Sequence, residues 1–223
     1  MKASLIIPAY NAEDYIERSV ESALSQDFPG KDYEVLVIDD GSTDRTPEIL
    51  KSFGDKIRVI RQENRGFAGA TNRGYKEAFG KLVVKLDSDD VFSPNLLSEE
   101  APLFERDEAL DFVYSDYWEE EGGERKLVNT ENIFNSVAIG TMYRKSRLEE
   151  AGWWREDAKF PEYELLLRTW GKWKGLRVPS ALFTYIRREG SASKNTTYYE
   201  DALSQLRALH PDKHELIRLI RSY

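Results

Sequence analysis

The sequence predicts an α/β fold with a mostly parallel sheet flanked by helices. Short apolar runs alternate with helical patterns through the first 90 residues, in the order β-α-β-α-β-α-β. Strands and helices that alternate in this way are typical of a parallel sheet. Three of the strands end directly in polar residues, and ligands of such sheets bind beyond the carboxyl ends of the strands. We therefore expect a binding site at that edge.

Composition narrows the classes of function. The 223 residues contain no linker rich in Gly, Ser or Pro, so we expect a single domain over residues 1–223. The net charge of -8 argues against a nucleic-acid binder. The absence of cysteine excludes disulfides and fits a reducing compartment. The N-terminus is too short for a signal peptide and no run suits a membrane helix, so we expect a cytoplasmic protein.

The first strand and helix come from clear patterns. Residues 3–7 are almost all apolar, and Pro8 stops the strand. Apolar side chains then recur at helical spacing over residues 12–26. Tyr10 lies in the loop between the two, just past the strand end.

The next units repeat this arrangement. A second strand, 33–38, leads directly into Asp40, and the following helix has Pro47 near its first turn. A shorter strand at 57–60 precedes a helix that starts within a Gly-rich stretch and runs to about residue 79.

The fourth strand ends in a group of carboxylates. The apolar run 82–84 is followed by Asp87, Asp89 and Asp90. Three such carboxylates repel one another unless a cation lies among them, and oxygen ligands suit Mg²⁺ or Mn²⁺. An acidic turn is the alternative, because Asp and Ser are ordinary turn residues.

The second half is less regular. We expect a helix over 94–104, a strand over 109–114, a solvated hairpin turn over 119–124 and a strand near Met142. Gly152 is expected to end a helix in the left-handed conformation.

Two amphipathic helices are expected at the end of the chain, over 198–209 and 213–220, separated by Pro211. Their apolar stripe is compatible with packing on the domain, with formation of a homodimer or with peripheral contact with a membrane. Packing on the domain is the default expectation.

Four segments in this order resemble the motifs of family 2 glycosyltransferases, which have the GT-A fold, a Rossmann-like sheet. They are Ser4-Leu-Ile-Ile-Pro-Ala-Tyr-Asn11, Val37-Ile-Asp-Asp-Gly-Ser-Thr-Asp44, Asn64-Arg-Gly-Phe-Ala68 with Asn72, and Leu86-Asp-Ser-Asp-Asp90. A weaker resemblance continues to about residue 193. It implies a half that binds a nucleotide-sugar donor (about 1–90), a half that binds the acceptor (about 91–195) and a helical tail (about 196–223).

The resemblance implies that residues at the ends of the strands bind the nucleotide. Tyr10 would offer a flat face to the base, and Asp40 would accept a hydrogen bond from it, most simply from uracil. Asp39 is expected to be structural, bonding the turn after it. The nucleotide-binding positions implied are Pro8, Ala9, Tyr10, Asp40, Asn72, Asp87 and Ser88.

The resemblance also implies a divalent cation, Mn²⁺ or Mg²⁺. Asp89 would bind it, Asp87 would touch the ribose or a metal-bound water, and Asp90 would lie beside it. The cation would neutralise charge on the leaving diphosphate.

The implied general base is Glu162. Relatives carry Asp at the position that aligns with Glu162 when the sequences are matched on Arg168. A carboxylate there would take the proton of the acceptor hydroxyl in an inverting transfer. Glu164 is the alternative base, and a simple role at the helix N-terminus is the structural alternative for Glu162.

The remaining assignments concern residues that would contact the diphosphate or form a lid over it, and residues that would contact the acceptor. Arg187, Arg188 and Ser191 would meet the diphosphate, while Glu189 stands where relatives often have His. One or both of Trp153 and Trp154 would line the acceptor cleft, although tryptophans are also ordinary core residues.

The expected partners are a nucleotide-sugar donor and a carbohydrate or lipid-linked acceptor, and a lipid-linked acceptor would place the protein at the inner face of a membrane. Two other functions remain open. A nucleotidyltransferase would normally have a Gly-rich phosphate loop after its first strand, where this chain has Pro-Ala-Tyr-Asn. A sugar-nucleotide-binding protein without catalysis is the other alternative.

Overall fold

The computed structural model describes residues 1–136, 139–188 and 195–220. Four parallel strands form its first half in the spatial order β3-β2-β1-β4. They are β1 (Ala3–Ala9), β2 (Tyr33–Asp39), β3 (Arg58–Arg61) and β4 (Leu82–Lys85). Nearly all residues of β1 and β2 are buried, as expected for strands covered on both faces.

Helices cover both faces of these strands. The helices are α1 (Ile16–Leu24), α2 (Thr46–Ser52) and α3 (Gly66–Glu77). Leu5 packs in the apolar cluster that includes Val20 of α1, whereas the next residue, Ile6, packs in the cluster that includes Tyr75 of α3. The alternation of β-strand side chains thus divides the core into two layers.

The second half extends the same sheet on the side of β4, in the order β4-β8-β6-β9-β5, with β7 on β6. Its strands are β5 (Val91–Phe92), β6 (Phe112–Glu121), β7 (Glu124–Val128), β8 (Met142–Arg144) and β9 (Gly175–Arg187). β8 is antiparallel to β4 and β6, and β9 is parallel to β6. β1–β4, β6 and β9 therefore share one direction, which confirms the predicted, mostly parallel α/β sheet.

Three helices connect these strands: α4 (Leu96–Arg106), α5 (Lys145–Glu150) and α6 (Pro161–Thr169). Gly152 follows α5 with φ of +82°, the predicted left-handed conformation.

The predicted solvated turn at 119–124 is wrong in its extent. β6 continues to Glu121 because it pairs with β9 as far as Arg187. Glu119 is consequently buried, and only Gly122 and Gly123 form the turn, with positive φ angles.

The tail folds back on the second half. α7 (Thr196–Leu209) and α8 (His214–Ile217) contribute Leu206 and Ile217 to the core cluster that contains Leu165 of α6. Packing, the default expectation, is confirmed, while a homodimer and membrane contact stay predictions. Within the described ranges, every helix falls short of the length and apolar character needed to cross a membrane.

Candidate active site

The polar residues that follow the strands gather at one edge of the sheet. Tyr10 follows β1, Asp40 follows β2 and Asp87 follows β4. β1 lies between β2 and β4, and all three are parallel, so their carboxyl ends are adjacent. The edge predicted from sequence therefore exists in the structure.

Tyr10 presents its side chain to solvent at this edge. It is 51% exposed, although Pro8 and Ala9 before it are buried in β1. An exposed aromatic ring that follows a buried strand is a suitable platform for a planar base. The Ala9 carbonyl accepts a hydrogen bond from Asp40 N at 2.8 Å, and contact of Pro8 and Ala9 with a nucleotide stays a prediction.

Asp40 connects the loop after β2 to the loop after β3 through hydrogen bonds. Its Oδ1 accepts hydrogen bonds from Gln62 Nε2 at 2.7 Å and from Arg65 N at 2.9 Å. Asp39 accepts from Ser42 N at 2.9 Å and pairs with Arg61 at 3.1 Å, so it makes the predicted bond to the turn. These bonds hold Asp40 at the carboxyl edge of the sheet, and its contact with a base stays a prediction.

Asn72 does not face the nucleotide edge as predicted. Its Nδ2 donates to the Trp154 carbonyl at 2.8 Å, and its Oδ1 accepts from Trp154 N at 2.9 Å. Nδ2 also lies 3.3 Å from Glu156 Oε1. The side-chain amide of Asn72 is hydrogen-bonded to the segment that follows α5. These bonds hold that segment in place.

Trp154 is a core residue, which corrects its assignment to the acceptor cleft. It is 2% exposed and lies with its ring centre 5.9 Å from that of Tyr75. A buried indole cannot offer a face to a sugar. Trp153 is half-buried with φ of +66°, and its carbonyl accepts from Arg168 at 2.8 Å.

The three carboxylates after β4 do not form one cluster. Asp87 makes an ion pair with Lys85, and Asp89 makes an ion pair with Arg188, while Ser88 lies half-buried between them. The Arg188 guanidinium also lies 3.6 Å from the centre of the Tyr15 ring. Asp87 and Asp89 thus each pair with a different cation of the protein.

Asp90 points into the protein, which corrects its assignment to the metal. It is fully buried, and its Oδ1 accepts from Ile186 N at 2.7 Å. Burial, followed by the nearby charge of Asp87, raises its pKa well above the ordinary range. A buried carboxyl whose oxygen already bonds another segment is poorly placed to bind a metal.

The structure leaves Asp87 and Asp89 as candidate metal ligands. Across the described ranges, no three His, Cys, Asp or Glu side chains converge on one point. The side chains of Asp87 and Asp89 are 27% and 35% exposed. Magnesium commonly binds one or two carboxylates together with phosphates of the substrate. The donor set therefore fits a divalent cation that binds together with a diphosphate.

Glu162 lies in the first turn of α6 and is half-buried. Burial raises its pKa to about 7, with smaller opposing effects from Lys85, which lowers it, and from Asp87, which raises it. Glu162 therefore lies within electrostatic range of Lys85 and Asp87. A carboxyl with a pKa near neutrality suits general-base catalysis.

Glu164 is not a candidate base in the structure. Its side chain is 2% exposed and pairs with Arg168 at 3.0 Å, and His210 lies 3.5 Å away. Arg168 in turn binds the carbonyls of Ala151 and Trp153. Glu164 therefore holds the segment after α5, and Glu162 is the carboxylate left for chemistry.

Arg187 has two acidic neighbours on the β6–β7 hairpin. Its Nη1 lies 3.8 Å from Glu119 and 3.6 Å from Glu121, and its contact with a diphosphate stays a prediction. Ser191 and Glu189 lie outside the described residues.

Two residues at this edge were not assigned from sequence. Lys85 is fully buried beneath Asp87, and Phe67, 44% exposed, has its ring centre 4.6 Å from Lys85 Nζ. The available signal was the single charge inside the apolar run of β4.

Comparison with known proteins shows the family. Residues 4–178 match the family model described as glycosyl transferase family 2. The chain belongs to this family. It is 34% identical over 181 residues to the minor teichoic acid biosynthesis protein GgaA of Bacillus subtilis, covering 71% of this chain and 41% of that protein. The chain spans well under half the length of the curated relatives that it matches first.

Solved structures share the fold. S. aureus TarS 1-349 in complex with UDP-GlcNAc superposes with a TM-score of 0.77 at 23% identity, over 93% of this chain and 66% of that chain. The mannosyltransferase PcManGT from Pyrobaculum calidifontis, in complex with GDP-Man and Mn²⁺, has a TM-score of 0.77 at 17% identity, over 98% of this chain and 68% of that one. At these identities the likeness shows the GT-A fold.

Proposed function

We propose that this chain is a glycosyltransferase that moves a sugar from a nucleoside diphosphate to an acceptor hydroxyl with inversion. The observation that carries the proposal is the position of Glu162. Its pKa of about 7 responds to the charges of Lys85 and Asp87 at the end of β4. A candidate base and a candidate donor-binding carboxylate therefore share one site, in a chain that belongs to glycosyl transferase family 2.

The donor nucleotide would bind along the carboxyl edge of the sheet. Tyr10 would stack on the base, and Asp40, fixed by Gln62 and Arg65, would accept a hydrogen bond from it. Uracil is the base that we favour, because TarS, which has the same fold, is described in complex with UDP-GlcNAc.

The transfer would be a single displacement. Ionised Glu162 would take the proton of the acceptor hydroxyl as its oxygen attacks the anomeric carbon. The bond from that carbon to the diphosphate oxygen would break, and the nucleoside diphosphate would leave with the electron pair. Asp89 and Asp87 would hold a Mg²⁺ or Mn²⁺ ion, which supplies positive charge to the leaving group when bound.

The acceptor we propose is a carbohydrate or a lipid-linked carrier. GgaA is named for teichoic acid biosynthesis, which supports an acceptor of the glycoconjugate class. Trp153 is the predicted acceptor residue that stays a candidate for contact with the acceptor. It is half-buried, and its ring centre lies 5.8 Å from Lys76 Nζ.

Calorimetric titration with UDP, GDP and dTDP, each with Mn²⁺ and with EDTA, tests the donor site. We expect one nucleotide to bind with Mn²⁺ and to bind at least about tenfold more weakly to Asp89→Ala, which lacks the exposed ligand. Asp212→Ala, an exposed carboxylate in the tail, is the control and should bind as the wild type does. If none of the three nucleotides binds with Mn²⁺, the proposed donor site is wrong.

A further inference from the structure

Lys85 is an ionisable residue in the middle of the sheet. It ends β4, which is paired on one side with β1 and on the other with β8. Its side chain has no exposed surface, and the strand residues before it are apolar. Burial of an unpaired ammonium group is strongly unfavourable, so its partners must stabilise the charge.

The partners of Lys85 belong to the candidate site. Its Nζ makes an ion pair with Asp87 Oδ1 and lies 4.6 Å from the centre of the Phe67 ring. An aromatic face attracts a desolvated cation. Burial raises the pKa of Glu162, and the charge of Lys85 opposes that rise.

We propose that Lys85 is the internal counter-ion of the donor site, a positioning residue that holds Asp87 and reduces the dependence of diphosphate binding on a divalent cation. The inference rests on the proposed function, because it concerns the same nucleotide site. Lys85 touches neither sugar nor acceptor in this scheme, and it acts through Asp87.

The expected effect follows from charge. Without Lys85, the carboxylates of Asp87 and Glu162 lose a fixed positive neighbour, and the site becomes more negative. A more negative site binds Mn²⁺ more tightly and a free diphosphate more weakly. Nucleotide binding should then depend more strongly on the metal.

The test is a titration of Lys85→Met and Lys85→Arg with the nucleoside diphosphate that binds the wild type best, in Mn²⁺ and in EDTA. The readout is the ratio of the two dissociation constants, Kd in EDTA over Kd in Mn²⁺. We expect this ratio to rise about tenfold or more in Lys85→Met and to stay within about threefold of the wild type in Lys85→Arg, which keeps the charge. A loss of fold alone would weaken both constants and leave the ratio unchanged.

Lys145→Met is the matched control. Lys145 Nζ donates to the carbonyls of Lys76 at 2.9 Å and Ala78 at 2.7 Å, at the opposite end of β4. It should leave the ratio unchanged. If Lys85→Met does not fold, Lys85→Gln is used in its place. Its Mn²⁺ affinity is measured by electron paramagnetic resonance, and we expect it to bind Mn²⁺ more tightly than the wild type.

The possible results distinguish a failure of the role of Lys85 from a failure of the proposed function. An unchanged ratio in Lys85→Met, or unchanged Mn²⁺ affinity in Lys85→Gln, overturns the role of Lys85 while the proposed function stands. A wild type that binds no nucleoside diphosphate overturns both.

Discussion

Arg188 and Asp89 form an ion pair at the carboxyl edge of the sheet, and the Arg188 guanidinium lies 3.6 Å from the centre of the Tyr15 ring. Asp89 is also one of the two partly exposed carboxylates that we propose as metal ligands. A cation that binds Asp89 must therefore compete with Arg188. This competition links the end of β9 to the acidic turn after β4.

The first prediction concerns metal binding in the absence of nucleotide. Arg188→Gln should bind Mn²⁺ about threefold to tenfold more tightly than the wild type, because removal of one guanidinium leaves Asp89 available. Electron paramagnetic resonance of free Mn²⁺ measures this. Arg125→Gln is the control, since Arg125 also combines an ion pair, with Glu120, and an aromatic contact, with Trp118, but lies on the hairpin. Equal Mn²⁺ affinity in Arg188→Gln and the wild type would contradict the prediction.

The second prediction concerns the pH dependence of stability. The pKa of Glu162 is about 7 in the folded protein, above its ordinary value of 4.5. Between these values the folded protein keeps a proton that the unfolded chain has lost, so this contribution to stability falls as pH rises from about 4.5 to 7. Glu162→Gln does not titrate, so its stability relative to the wild type should increase by about 1 to 3 kcal/mol between pH 5 and pH 8.

Urea unfolding at several pH values measures that difference. Glu48→Gln is the control, because Glu48 is exposed on α2 and its variant should follow the wild type at every pH. A constant difference between Glu162→Gln and the wild type over this range would show that burial does not raise the pKa of Glu162.

The third prediction concerns the base platform. Tyr10→Ala should weaken binding of the nucleoside diphosphate by about 1 to 3 kcal/mol, the usual value of stacking on an aromatic ring, with little effect on Tm. Phe79→Ala removes another exposed aromatic ring, 66% exposed and stacked on Arg58, and should leave affinity unchanged. Equal affinity of Tyr10→Ala and Phe79→Ala would remove Tyr10 from the site.

The fourth prediction concerns Asn72, whose amide binds the backbone of Trp154. Asn72→Ala leaves a buried N–H and a buried carbonyl unpaired and should lower the free energy of unfolding by about 2 to 4 kcal/mol. Chemical unfolding measures this, and nucleotide affinity of the folded variant should be unchanged. Asn72→Asp keeps the acceptor for Trp154 N but places a buried carboxylate against the Trp154 carbonyl and Glu156, so it should lose at least as much stability. A large loss of affinity with no loss of stability would restore the nucleotide role.

The parts of this fold that sequence predicts are those set by local pattern. The apolar runs of β1, β2 and β4 each end in a polar residue, so the edge that holds Tyr10 and Asp40 could be located from sequence. The carboxyl ends of neighbouring parallel strands lie at the same edge because the strands run in the same direction.

The parts that were missed depend on contacts between distant segments. Asn72 and Trp154 are 82 residues apart, and only the packed structure shows that they bind each other. Asp90 is buried because β9 supplies the N–H of Ile186, 96 residues later. Lys85 was not singled out from sequence, and only the folded structure shows that it is buried between Asp87 and Phe67.

The central claim is that Glu162 is the base of a sugar transfer. The most direct measurement is the release of nucleoside diphosphate from a panel of sugar nucleotides with simple acceptors, followed as a function of pH in the wild type and in Glu162→Gln. The rate should rise as pH passes about 7, the pKa of Glu162, and should fall by about 100-fold or more in Glu162→Gln while nucleotide affinity is kept. A Glu162→Gln enzyme with the wild-type rate and pH profile would contradict the account.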